Sequence, residues 1–130
     1  KFIKNNKDYF FYKNLGQTKF LSLLKISTLL IGNSSSGILE MPSFGKYSIN
    51  IGDRQNGRIK SKSVVDCLPN KKSIKRAIKI IYSNKFQNLL KNVKNPYGNG
   101  CASQKIIKVL KTVKLDNILK KTFFDIKFSS

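Results

Sequence analysis

Residues 28–37 read TLLIGNSSSG: five residues without a charge, then a turn of asparagine, serines and glycine. A short uncharged run closed by turn residues is the pattern of a strand buried on both faces of a parallel sheet, because helices cover both faces of such a sheet. Two similar runs follow, at 47–52 (YSINIG) and 63–67 (SVVDC), with a polar, basic loop at 53–62 between them. The period then changes. Ile74, Ala77, Ile78 and Ile81 recur at helical spacing within 71–83. Residues 86–93 read as another helix, 95–100 (NPYGNG) as a loop, and 102–113 as an amphipathic helix with Ile106, Ile107, Val109 and Leu110. Upstream, Phe20, Leu21, Leu23 and Leu24 mark one face of a short helix over 17–25, and the aromatic run at 9–12 (YFFY) is strand-like by residue type. Residues 38–44 suit a short helix, with Pro42 tolerated only in a first turn or at a kink. A short helix is expected around 115–119. Strands alternating with helices predict an α/β chain, a parallel sheet flanked by helices. The strands are few and no first βα unit is visible. The chain therefore reads as the incomplete end of a larger domain, an expectation that its first residue, Lys rather than Met, also raises.

Composition narrows the class. With 40% apolar and 11% aromatic residues in 130, a folded core is expected rather than disorder. The net charge of +20 would suit a polyanion. The basic residues are nearly all lysine, the exceptions being Arg54, Arg58 and Arg76, and they are scattered along the chain. Scattered lysine reads as solvated surface, and the aromatic residues fall within apolar patterns, so no nucleic-acid partner is expected. A field of this sign still attracts an anionic nucleotide. Cys67 and Cys101 show no CxxC spacing and read as reduced thiols of a cytoplasmic protein. The longest apolar run, 26–31, is far short of the ~20 residues that span a bilayer, so no membrane partner is expected. Neither a metal site nor a cofactor is indicated.

Two loops carry candidate chemistry. In open α/β sheets ligands sit outside the carboxyl ends of the strands. Ser34, Ser35, Ser36 and Gly37 follow one such strand and lead into a helix; small side chains admit a ligand to the backbone, and amides at a helix start favour phosphate. Glu40, the sole glutamate, falls about one turn later and can accept two hydrogen bonds from a vicinal diol. The segment Gly52 to Arg58 (GDRQNGR) follows the next strand and holds Arg54 and Arg58, suited to bidentate phosphate contact. Taken singly, each loop reads equally as a plain turn or an exposed basic loop. Together, at neighbouring strand ends, they predict one site.

GNSSSGILEMPSFG followed by INIGDRQNGR, with LGQTKFLSLLKIS before and NPYGNGCASQKI after, resembles the hydrolysing UDP-N-acetylglucosamine 2-epimerase family of sialic-acid and legionaminic-acid synthesis. The resemblance runs from about Tyr9 to Phe128. It implies two Rossmann-like domains facing a cleft, the GT-B arrangement, with this chain in the C-terminal one. It also implies removal of UDP by elimination, then addition of water to the glycal to give the 2-epimer. The UDP-sugar is then the substrate, with Ser34 and Ser35 on the diphosphate, Glu40 on the ribose and Arg54 in the nucleotide site. Ser36, Gly37 and Arg58 match the motifs with less defined roles.

The chain departs from the family in having no histidine. In the family the histidine and carboxylates that move protons at the sugar come mostly from upstream. No catalytic residue is therefore expected in this chain, and by itself it should bind poorly and turn over nothing. Residues 1–113 are expected to form the UDP-binding domain, truncated at its start, and 114–130 a helix and tail. A missing N-terminal domain would be the partner, and the complete enzyme could be a homo-oligomer. The alternatives are the UDP-sugar domain of a GT-B glycosyltransferase, which the GDRQ-x-GR run disfavours, and a basic nucleic-acid-binding module.

Overall fold

In the computed structural model three strands, β1 (Leu29–Gly32), β2 (Tyr47–Ile51) and β3 (Val64–Cys67), form one parallel sheet in that order. Leu29 lies opposite Tyr47 and Gly32 opposite Asn50; Ser48 lies opposite Val64 and Ile51 opposite Cys67. All three carboxyl ends therefore open on one edge. The structure describes residues 3 and 6–116, and the chain divides into two compact units after Asn99. The first unit also contains α1 (Gly16–Ile26), α2 (Ser36–Leu39), a 3₁₀ turn (Met41–Phe44), α3 (Lys71–Ile81) and α4 (Asn84–Leu90). The second contains α5 (Ala102–Thr112), in which no residue is buried. The parallel α/β class expected from the sequence is the one observed.

The central strand organises the core through its period of two. Tyr47 and Ile49 join Ala77 and Ile81 of α3 and Phe86 of α4 in one buried cluster. Ser48, on the opposite face, meets α2. Helices thus lie on both faces of β2, which is buried from Tyr47 to Asn50. Ile81 is fully buried, worth roughly 1.5–3 kcal/mol for a side chain of its size. The starts of α3 and α4 are capped by short polar residues. The Asn70 side chain accepts from Ser73 N at 2.8 Å, and the Ser83 hydroxyl accepts from Phe86 N at 3.4 Å. Pro42 ends the run of α2: it lacks an N–H and its ring would crowd the carbonyl four residues back, so the chain restarts as a 3₁₀ turn with Pro42 near its start. That turn closes on Gly45, at φ 63°, whose N–H donates to the Pro42 carbonyl.

Three expectations change. Residues 9–12 form no strand, and Phe10 is 75% exposed; aromatic composition suits a pleated surface only where a neighbouring strand pairs with it. β1 is not buried on both faces: Ile31 is 45% exposed, because the helices that cover that face pack around β2 and its neighbours and Ile31 is not part of that cluster. The helix expected over 38–44 is split in two by Pro42. Residues 113–116 are not helical, and the rest of the helix expected around 115–119 lies outside the described residues.

Candidate functional site

β1 and β2 are parallel neighbours, so the loops leaving them emerge side by side. A side chain binds them together. Gln55, 3% exposed, donates from Nε2 to the Asn33 carbonyl at 2.8 Å. A cleft of about 440 Å³ opens between the loops, lined by Gly32 and Asn33 from one and by Gly52, Asp53 and Arg54 from the other, with Pro69 alongside. The 95–98 loop is tied to both motifs. Asn95 Nδ2 donates to the Leu39 carbonyl at 2.7 Å and to Ser43 Oγ at 2.6 Å. The Tyr97 hydroxyl donates to the Ile59 carbonyl at 3.0 Å. Asn95 Oδ1 accepts from Tyr97 N at 3.0 Å, an Asx turn spanning Pro96.

The serine loop has its own geometry. Ser36 N donates to Ser34 Oγ at 3.3 Å, and Gly37 N to the Ser34 carbonyl at 3.2 Å. The N–H groups of Ser34 and Ser35 make no hydrogen bond among the described residues, and Ser34 is exposed. The helix behind them is a single turn, so its dipole is small and the amides themselves are the donors on offer. Gly37 differs from the other three. It is buried, its carbonyl accepts from the Ser48 hydroxyl at 2.6 Å, and a Cβ there would lie 3.2 Å from Ser48 Cβ. Its smallness serves the packing of α2 on β2, not the approach of a ligand.

Glu40 sits where α2 passes into the 3₁₀ turn. Its Oε2 is shut off from solvent and has no hydrogen-bond partner among the described residues. It is not among the residues lining the cleft, whereas Arg54 is. Arg54 and Arg58 are both exposed, three positions past Ile51 and Gln55 respectively; Arg58 N donates to the Gln55 carbonyl at 3.4 Å. A second cleft, of about 490 Å³, lies between the 52–56 and 66–73 segments and includes Cys67. Burial, and then the charge of Asp66, push the Cys67 thiol up from its ordinary value, which keeps it protonated and poorly nucleophilic near neutrality. No group of three or more metal-ligating side chains occurs among the described residues, and no described helix is long and apolar enough to cross a membrane.

The positions of Gln55, Asn95 and Ser48 do not follow from local sequence pattern. Each is a polar residue whose partner lies far along the chain, and nothing in local spacing announces such a pair. The signal that was present is composition: an amide side chain inside each of the two loops.

The profile of the family described as UDP-N-acetylglucosamine 2-epimerase matches residues 1–111. A GDP/UDP-N,N'-diacetylbacillosamine 2-epimerase (hydrolyzing) from Campylobacter jejuni is 48% identical over 124 residues, covering 95% of this chain and 32% of the relative. A polysialic acid biosynthesis protein from Escherichia coli is 41% identical over 108 residues, 82% of this chain and 28% of its own length. A UDP-N,N'-diacetylbacillosamine 2-epimerase (hydrolyzing) from Legionella pneumophila is 34% identical over 110 residues, 79% of this chain and 26% of the relative. The chain thus spans about a third or less of the length of these relatives.

Proposed function

The chain belongs to the UDP-N-acetylglucosamine 2-epimerase family, and we propose that it forms the nucleotide-binding part of a hydrolysing UDP-sugar 2-epimerase. The observation that carries this reading is the pair of loops bridged by Gln55 at the carboxyl edge of β1 and β2, one with free amides and one with Arg54 at the cleft. Amides on one loop, next in the chain to the cleft-lining Asn33, and a guanidinium at the cleft itself suit a diphosphate. In an elimination the diphosphate is the leaving group, so donors placed on it stabilise the charge that develops there. Ser34, Ser35 and Arg54 take that role in this reading, with Ser36 and Arg58 at its margin. Glu40, one turn past the serine loop but outside the lining of the cleft, is assigned to the ribose hydroxyls in this reading. The net charge of +20 draws the anionic nucleotide in. Proton transfer at the sugar is assigned to groups outside this chain, which has no histidine to offer. The substrate class is a UDP-linked N-acetylated amino sugar, and the two free cysteines suit a reducing, cytoplasmic setting.

Calorimetric titration of UDP into the purified chain tests this reading. Saturable binding is expected, weakened about ten- to a hundredfold by Arg54→Ala and by Glu40→Gln, the range for losing one charge-assisted hydrogen bond. Equal affinity in the parent chain and both variants would remove the proposed site.

A further inference from the structure

Gln55 is 3% exposed although its neighbours Arg54 and Asn56 are exposed. Its Nε2 donates to the Asn33 carbonyl, while its Oε1 is buried and unpaired among the described residues. The opposite amide orientation would set oxygen against oxygen at 2.8 Å, so the Asn33 carbonyl dictates which end faces it. A buried, half-satisfied amide costs stability, and stability alone does not explain why one stands here. The geometry of the peptide it grips does. No described peptide bond is cis. In a planar trans peptide the C=O and the following N–H point in opposite directions. Holding the Asn33 oxygen on Gln55 therefore turns the Ser34 N–H away from Gln55, where it has no partner among the described residues.

We propose that Gln55 is a positioning residue for the anion. It fixes the 33–34 peptide with the Ser34 amide presented outward, and it couples that amide to Arg54, the adjacent residue in the chain. The inference rests on the nucleotide-site reading above. Without the Nε2 donor, the peptide between two exposed residues, Asn33 and Ser34, is free to rotate, and an incoming phosphate has to order it again.

The test compares Gln55→Met, which keeps volume and burial but loses the donor, with Gln55→Glu, which keeps the shape and replaces the donor with an acceptor. UDP affinity and the ligand-free ¹H–¹⁵N resonance of Ser34 are measured in both, with Arg54→Ala alongside. The expected result is a loss of UDP affinity of about tenfold in both Gln55 variants. The Ser34 amide should shift while distant amides such as Ala77 stay in place, and the loss of UDP affinity that accompanies this local change is what a merely structural role for Gln55 would not produce. If Gln55→Met does not fold, Gln55→Leu, also without a donor and without a charge, decides in its place, because Gln55→Glu adds a charge that repels the anion by itself. UDP affinity within about twofold of the parent in a folded Gln55 variant, with Arg54→Ala weakening binding, would overturn the positioning role and leave the nucleotide site standing. Unchanged affinity in Arg54→Ala as well would remove the site and this inference with it.

Discussion

Gly37 and Ser48 show how little room separates α2 from the central strand. A methyl at Gly37 would meet Ser48 Cβ at 3.2 Å and Oγ at 3.3 Å, and Ser48, 1% exposed in the middle of β2, has nowhere to retreat. Overpacking of this kind costs about 1–3 kcal/mol. Alanine's better helix propensity returns at most about 1 kcal/mol. Gly37→Ala is therefore expected to lower the urea midpoint; a raised midpoint would mean that the two elements slide apart freely. The same position marks a limit of sequence reading at this scale. A glycine between a serine loop and a helix looks like a ligand-facing residue, and only the strand eleven positions later reveals what it faces. Ser34 and Ser35 were legible because their free amides follow from local chain geometry. Gln55 was not, because its partner lies 22 positions away.

The strands at 29–32, 47–51 and 64–67 were legible because each is a short uncharged or branched run closed by turn residues, and α3 because its apolar spacing is regular. The aromatic run at 9–12 misled, since strand formation depends on a partner that residue type does not encode. β2 also carries a titratable group into the core. Burial, and then Tyr82, push the Tyr47 hydroxyl above its ordinary value of 10.0, and it donates to Gln87 Oε1. The folded state thus favours the protonated form. Its contribution is complete below the unfolded pKa and is lost as pH rises through the higher folded value. The urea midpoint should fall from about pH 9 to about pH 11 more steeply in the parent than in Tyr47→Phe. The comparison at equal pH cancels the opposite effect of lysines losing charge in the same range. A parent slope no steeper than that of Tyr47→Phe would mean that Tyr47 titrates as it does in the unfolded chain.

At the scale of the whole molecule, a sheet of three parallel strands presents two loops on one edge, bridged by one amide, in a chain with a net charge of +20. The α/β class was readable from alternation alone. Family membership rests on matches that cover 79–95% of the chain but a third or less of each relative. In the proposed division of labour this part holds the nucleotide and the sugar chemistry lies elsewhere. Incubation of the chain with UDP-N-acetylglucosamine should accordingly release neither UDP nor N-acetylmannosamine above background; release would mean that residues of this chain handle the protons. The central claim is that the nucleotide lies between the 33–36 and 52–54 loops, and a ¹H–¹⁵N titration of the labelled chain with UDP tests it most directly. The account predicts saturating shifts concentrated at Asn33, Ser34, Ser35, Gly52 and Arg54. Shifts confined to the lysine-rich faces of α3 or α5, or none at millimolar UDP, would contradict it.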